Sequence, residues 1–297
     1  MNKLEYSVIR FGMYRILGND LPPRHHENQT IINLKFQLEH EKDFPDTQKR
    51  YCVNRIWDPI KRATILGMLK DAGVGFFEIP FDKTEYLRAD SLEEKLMYLT
   101  NVNPARNHCL GHSRLSDDDV AVILDGGTFV RKDGWEPFES IVYEFPPIFE
   151  GAYAIPCCRV ATLEEVLQDE MQWSIRETYE YGGGQKVTGT REMYLALTKN
   201  CDVQFNETLP YGRVDKVYTM WQLGMIGPWD RWHPDIRQEA YSKPSKFSGS
   251  VKMGGYAIRL PSHSNRDGNN LDRGMARNNG INLMVSTVDN LIGTGKL

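Results

Sequence analysis

Nothing in the 297 residues approaches the unbroken apolar run of about 18 that a membrane-crossing helix needs, so a soluble chain is expected. A signal peptide's apolar segment is missing from Met1-Asn-Lys-Leu-Glu-Tyr6, and a cytoplasmic location is the matching expectation. With a formal net charge of -4 and no Lys/Arg-rich block, nucleic acid is not the expected partner. Cysteine is scarce: Cys52, Cys109, Cys157, Cys158 and Cys201 are odd in number and without CxxC spacing, so reduced thiols are expected. The sequons at Asn28 and Asn206 then read as chance. The sequence also lacks a P-loop, a GxSxG elbow and a GxGxxG turn after a strand. His108 and His112 stand four apart, as zinc ligands can, but no HExxH glutamate lies between them.

What remains has the composition of a globular protein, 40% apolar and 26% charged. The centre of the pattern is Asn103-Pro-Ala-Arg106-Asn107, followed by Val120 to Leu124 and Asp125-Gly126-Gly127. Val120 to Leu124 is an aliphatic run of the kind found in strands covered on both faces. It delivers Asp125 to a strand's carboxyl end, where open α/β sheets bind ligands. Gly126 and Gly127 fit either a tight turn or a close approach of backbone to a ligand. Pro104 suits a first helical turn, and Arg106 with the amides of that helix start would favour an anion such as a diphosphate. The alternative is a solvated helix start with Arg106 paired to a carboxylate.

Upstream, Met13 to Leu17 predicts a strand, and the Gly/Pro-rich stretch to His26 a loop at its carboxyl end. Asn28 is placed to cap a helix carrying Ile31, Leu34 and Leu38. Arg50 to Val53 predicts a second strand, Ile65 to Leu69 a helix that Gly73 stops, and Phe76 to Ile79 a third strand. Three successive strand-helix units indicate a parallel sheet. Residues 82–103 read as less regular.

This order, with Asp58 after the second strand, Ala105-Arg106-Asn107 and a strand ending in Asp125, resembles the GT-A nucleotide-sugar glycosyltransferases. It is most similar to the large inverting, family 2-like group of bacterial polysaccharide and antigen synthases, and more so to GT-A-like proteins that open on Tyr14-Arg-Ile-Leu-Gly-Asn-Asp-Leu-Pro-Pro-Arg-His25. The resemblance implies a three-layer α/β/α sandwich with a mostly parallel central sheet. It implies one domain over residues 1–297, with a nucleotide-sugar-binding half (1–135) and an acceptor-binding half (136–297). It implies a nucleotide-sugar donor, UDP-linked in many members, and a glycan, peptide or small-molecule acceptor. Arg15, Gly18, Asn54 and Asp58 would hold the nucleotide, with Arg106, Asp125, Gly126 and Gly127 at its ribose and diphosphate.

The family's Asp-x-Asp is Asp125-Gly126-Gly127 here. A divalent metal, Mn²⁺ or Mg²⁺, is therefore implied with one carboxylate in place of two. A hard cation can use one carboxylate with phosphate oxygens and water. Without a metal, Arg106, Arg131 and Lys132 are the candidates to neutralise a leaving diphosphate.

In the second half, Ala152 to Pro156 predicts a strand and Leu163 to Tyr181 a helix, after which Gly182-Gly183-Gly184 fits a mobile loop or a plain linker. Asp215 matches by position the acid that serves inverting members as catalytic base, although Arg213-Val214 replaces the acid expected before it. Pairing of Asp215 with Lys216 or Arg213 is the other reading. Trp229, Asp230 and Trp232 fit either a sugar platform or a packing corner. His263 follows a strand over Gly255 to Leu260, where a late histidine of the family meets metal or diphosphate. The last helix, Asp272 to Asn290, is expected to set Ile281, Met284 and Val288 on the sheet. A sugar nucleotidylyltransferase and a catalytically inert nucleotide- or glycan-binding module are the alternatives.

Overall fold

The computed structural model describes residues 8–168, 177–180, 186–189, 192–212, 214–262 and 270–297. The first half alternates strand and helix as its apolar periodicity predicts. It runs β1 (Phe11–Leu17), α1 (Gln29–His40), β2 (Thr47–Asn54), α2 (Pro59–Asp71) and β3 (Gly75–Ile79). Residues 82–103 are more ordered than expected, forming α3 (Lys83–Leu87) and α4 (Leu92–Thr100). Ser91 and Glu94 make a capping box at the start of α4, satisfying amides that would otherwise be left without partners. Then come α5 (Val102–Leu115), β4 (Val120–Asp125), β5 (Thr128–Phe129), α6 (Lys132–Glu144) and β6 (Ala152–Arg159).

Of the helix expected over 163–181, the described residues show α7 (Leu163–Val166), and residues 169–176 and 181 lie outside the described residues. Glu177–Glu180 is instead a strand, β7, paired antiparallel with β8 (Lys186–Gly189). Thr178 and Tyr179 suit that ladder better than a helix interior. The triple glycine lies outside the described residues. The chain continues through β9 (Met193–Thr198), α8 (Val217–Gln222), a 3-10 turn (Pro228–Arg231), α9 (Pro234–Ser242), β10 (Lys252–Met253), β11 (Ala257–Arg259) and α10 (Asn270–Gly293).

Among the described residues the main sheet has nine strands in the order β3-β2-β1-β4-β9-β6-β11-β5, with β10 also on β6. It is mostly parallel, and the molecule is a mixed α/β sandwich. β9 runs antiparallel between β4 and β6, joining strands from both halves of the chain. β1 is flanked by β2 on one side and β4 on the other, so the winding direction reverses there. Such a reversal opens a crevice at the strands' carboxyl ends.

Strand alternation decides what faces that crevice. Val120, Val122 and Leu124 turn toward Trp135, Phe138 and Val142 of α6. Ala121 and Ile123 turn toward Ala105, Cys109 and Leu110 of α5. Asp125 follows Ile123 on the α5 face, the side from which Arg106 projects. Each buried aliphatic side chain of this strand contributes about 1.5–3 kcal/mol, so its register is firmly held. α10 departs from expectation: Ile281, Met284 and Val288 are buried against Leu21, Tyr86 and Leu99 of the first loop, α3 and α4, away from the sheet. The apolar faces of α3 and α4, short helices missed in the sequence, supply the surface that α10 covers.

Candidate active site

A cleft of about 130 Å³ opens where β1, β2 and β4 end. Ile16, Gly18, Asn54, Asp125, Gly126 and Gly127 form its floor, and Arg259, Tyr211 and Met284 reach it from the second half. A second hollow of about 300 Å³ adjoins it, sharing Thr100, Val102 and Tyr211. Together they fall within the range of about 300–1,000 Å³ typical of a small-molecule site.

The turn after Asp125 is tightly built. A Cβ on Gly126 would lie 2.6 Å from the carbonyl oxygen of Ile16, so only glycine fits without backbone movement. Gln37 of α1 donates to the carbonyls of Gly126 (2.7 Å) and Thr128 (2.9 Å), and the Leu260 amide donates to Gly127 (2.8 Å). That last bond brings the neighbouring Arg259 to Asp125.

Asp125 is the centre of an ionic chain. Its Oδ1 accepts from Arg106 Nη2 at 3.2 Å and its Oδ2 from Arg259 Nη1 at 2.6 Å. Arg106 Nη1 donates to Asp215 Oδ2 at 2.7 Å and to Asn103 Oδ1 at 2.8 Å, so one guanidinium bridges two carboxylates. Arg259 Nη1 also reaches the Tyr194 hydroxyl at 3.3 Å, which accepts from Thr128 Oγ1 at 2.8 Å. Farther along, Lys216 and Arg159 hold Glu192 at 3.3 Å and 2.5 Å. Burial alone would raise the Asp125 carboxyl's pKa, but Lys216, Arg259 and Arg106 hold it well below the usual carboxylate range. Burial pulls the His25 imidazole at the rim down to about 4, with Arg259, Arg24 and Lys61 adding to the effect against Asp20. His25 is thus neutral at pH 7; its Nδ1 accepts from the Leu21 amide at 3.1 Å, which leaves the proton on Nε2.

The expected site residues separate into three groups. Gly18, Asn54, Asp125, Gly126 and Gly127 line the cleft, and Arg106 and Asp215 meet behind Asp125. Arg15 and Asp58 do not line it. Arg15 is fully buried on the opposite face of β1, ion-paired to Glu41 and donating to the Thr128 carbonyl at 2.9 Å. The alternation that turns Ile16 to the cleft turns Arg15 away. Asp58 caps α2, accepting from the amides of Ile60 and Lys61 at 2.8 and 3.1 Å. Trp229 and Asp230 belong to a packing corner: Trp229 is buried, and Asp230 accepts from Trp221 Nε1 at 2.8 Å. Trp232 is partly exposed beside that corner. His263 and Arg213 lie outside the described residues.

Arg131 and Lys132 also serve elsewhere. Arg131 donates to Asp133 and to the carbonyls of Val166 and Gln168, and Lys132 is an exposed partner of Glu136. The groups that the sequence did not single out are Arg259, Tyr194, Glu192 and His25; Lys216, read there as a possible partner of Asp215, pairs with Glu192. Arg259 was within reach, since it closes the strand before His263. The donors about Asp125 do not suit a hard cation. Both of its oxygens accept from guanidinium groups, and among the described residues no three His, Cys, Asp or Glu side chains gather as a ligand set. His108 and His112 lie against the Phe77 ring, and Cys157 and Cys158 are buried thiols pushed up to about 12 by desolvation, hence unreactive.

No protein-family model and no curated protein matches the chain. Among solved structures it is similar to a cytidylyltransferase from Leptospira borgpetersenii serovar Hardjo-bovis, with 12% identity, 83% of this chain and 80% of that chain covered, and a TM-score of 0.30. So low a score carries no argument about fold or chemistry. Among the described residues no helix is long and apolar enough to cross a membrane.

Proposed function

We propose that the chain is a glycosyltransferase that moves a sugar from a nucleoside diphosphate donor to an acceptor hydroxyl. The observation that supports this most is the bridge Asp125–Arg106–Asp215, which sets two carboxylates and a guanidinium beside a cleft at the sheet's switch point. The cleft's mixed lining suits a nucleoside: Ile16, Leu21, Leu99 and Tyr211 offer apolar surface, while Asn33 and Ser262 offer polar groups. The diphosphate then extends toward Asp125 and Arg259.

Asp215 would act as base. Its Oδ2 is held by Arg106, and its Oδ1 accepts no hydrogen bond among the described residues. That oxygen takes the proton of the acceptor hydroxyl as the hydroxyl oxygen attacks the anomeric carbon. The bond from that carbon to the diphosphate breaks, its electron pair leaving with the diphosphate, and the configuration inverts. Base catalysis of this kind contributes about 10²–10⁴-fold.

The test is incubation with a panel of nucleotide sugars, reading release of nucleoside diphosphate. Release from one donor, with an inverted product, is expected. Binding of a nucleoside diphosphate without turnover of any donor would point to the inert module. Release of pyrophosphate from a nucleoside triphosphate and a sugar 1-phosphate would point to a nucleotidylyltransferase.

A further inference from the structure

Arg259 stands where a diphosphate-bridging cation would be held. Its Nη1 lies 2.6 Å from Asp125 Oδ2, while Arg106 covers Oδ1. A divalent ion bound to Asp125 would have to sit against both guanidinium charges. Like charges at such close range repel, and a divalent ion is repelled twice as strongly as a monovalent one.

The rest of Arg259 is prepared for an anion. Only Nη1 is used by the protein; Nε and Nη2 donate to no partner among the described residues, and the side chain lines the cleft. Nε and Nη2 form the side edge of the guanidinium, whose parallel N–H bonds match two oxygens of one phosphate. Gly127 keeps this edge uncovered, since a Cβ there would touch Arg259 Nε at 3.7 Å and crowd Asn33 Nδ2 at 3.0 Å. The arginine is also fixed in place: it closes β11, paired with β6 and β5, and Tyr194 braces its Nη1. A strand-borne donor held by neighbours does not need to reorganise when charge develops.

We infer that Arg259, positioned by Asp125, receives the leaving diphosphate through its Nε–Nη2 edge, so that donor binding needs no divalent cation. This rests on the nucleotide-donor reading above. Asp125 becomes a positioning residue for Arg259 instead of a metal ligand.

The experiment is calorimetric binding of UDP, GDP, CDP and dTDP, and of inorganic pyrophosphate, to the full chain in EDTA and in Mn²⁺. The expected result is that one nucleotide binds with the same affinity, within threefold, in both. Arg259→Ala and Arg259→Lys should each weaken it about 10- to 100-fold, as expected for lost charge-assisted hydrogen bonds. The corresponding nucleoside should bind all three proteins alike, which also reports that the variants are folded. Binding seen only with Mn²⁺, or unchanged by both substitutions, overturns the inference and leaves the glycosyltransferase reading standing. Absence of any nucleotide binding in either condition overturns both.

Discussion

Arg106 is the side chain on which the candidate site turns, because one buried guanidinium orients two carboxylates, to which the proposed function gives different roles. Asp215→Asn keeps the size and the hydrogen bond to Arg106 but cannot take a proton. Turnover should fall about 10²–10⁴-fold with nucleoside diphosphate affinity unchanged; undiminished turnover would remove Asp215 as base. Arg15 makes the opposite case. Its pairing with Glu41 is wholly internal, and cutting one partner from such a pair costs about 3–5 kcal/mol. Arg15→Ala should therefore lower the denaturant midpoint strongly while the folded protein binds nucleotide as before. Both residues are arginines on or near strands aimed at the same cleft. Composition cannot separate them; the face each occupies does.

The cleft owes its walls to elements packed across it. Asp20, in the first loop, accepts from the Thr30 amide at 2.9 Å and holds Lys61 of α2 at 2.5 Å, so it caps α1 from a distance. Asn28, the cap expected from position, sits at φ 60° and makes no side-chain cap bond. On the far side, α10 presses on the same loop so closely that a Cβ on Gly280 would meet the Leu21 carbonyl oxygen at 2.6 Å. Gly280→Ala should destabilise the protein by about 1–3 kcal/mol, measured by urea unfolding. It should also weaken nucleotide binding, since Leu21 lines the cleft. Unaltered stability would mean that helix and loop are not in the contact described.

At the scale of the whole molecule, stability should be pH-dependent in two steps. His25 is neutral when folded, its pKa lowered to about 4. In the unfolded chain it titrates near 6.5. The unfolded state therefore takes up a proton first, and stability present above about pH 6.5 is lost as pH falls toward 4. Below that, the depressed carboxyls of Asp125 and Glu192 add a further loss as their unfolded counterparts protonate. Thermal midpoints measured from pH 7.5 to 4 should fall for the wild type and fall less for His25→Gln. Equal slopes would clear His25 as the cause. Local signals carried much of this architecture: the aliphatic run into Asp125, the Pro104 helix start and Gly73 each needed only neighbours in sequence to act. Glu177–Glu180 did not yield to the same reasoning, because pairing with a strand farther along competes with helix propensity there. The partners of Asp125 were equally hidden, since Arg259 meets it only after β11 joins β6 and Leu260 binds the Gly127 carbonyl. Side-chain type and strand periodicity are written along the chain. Which charges meet, and whether an arginine or a cation serves a carboxylate, depends on contacts between segments more than a hundred residues apart.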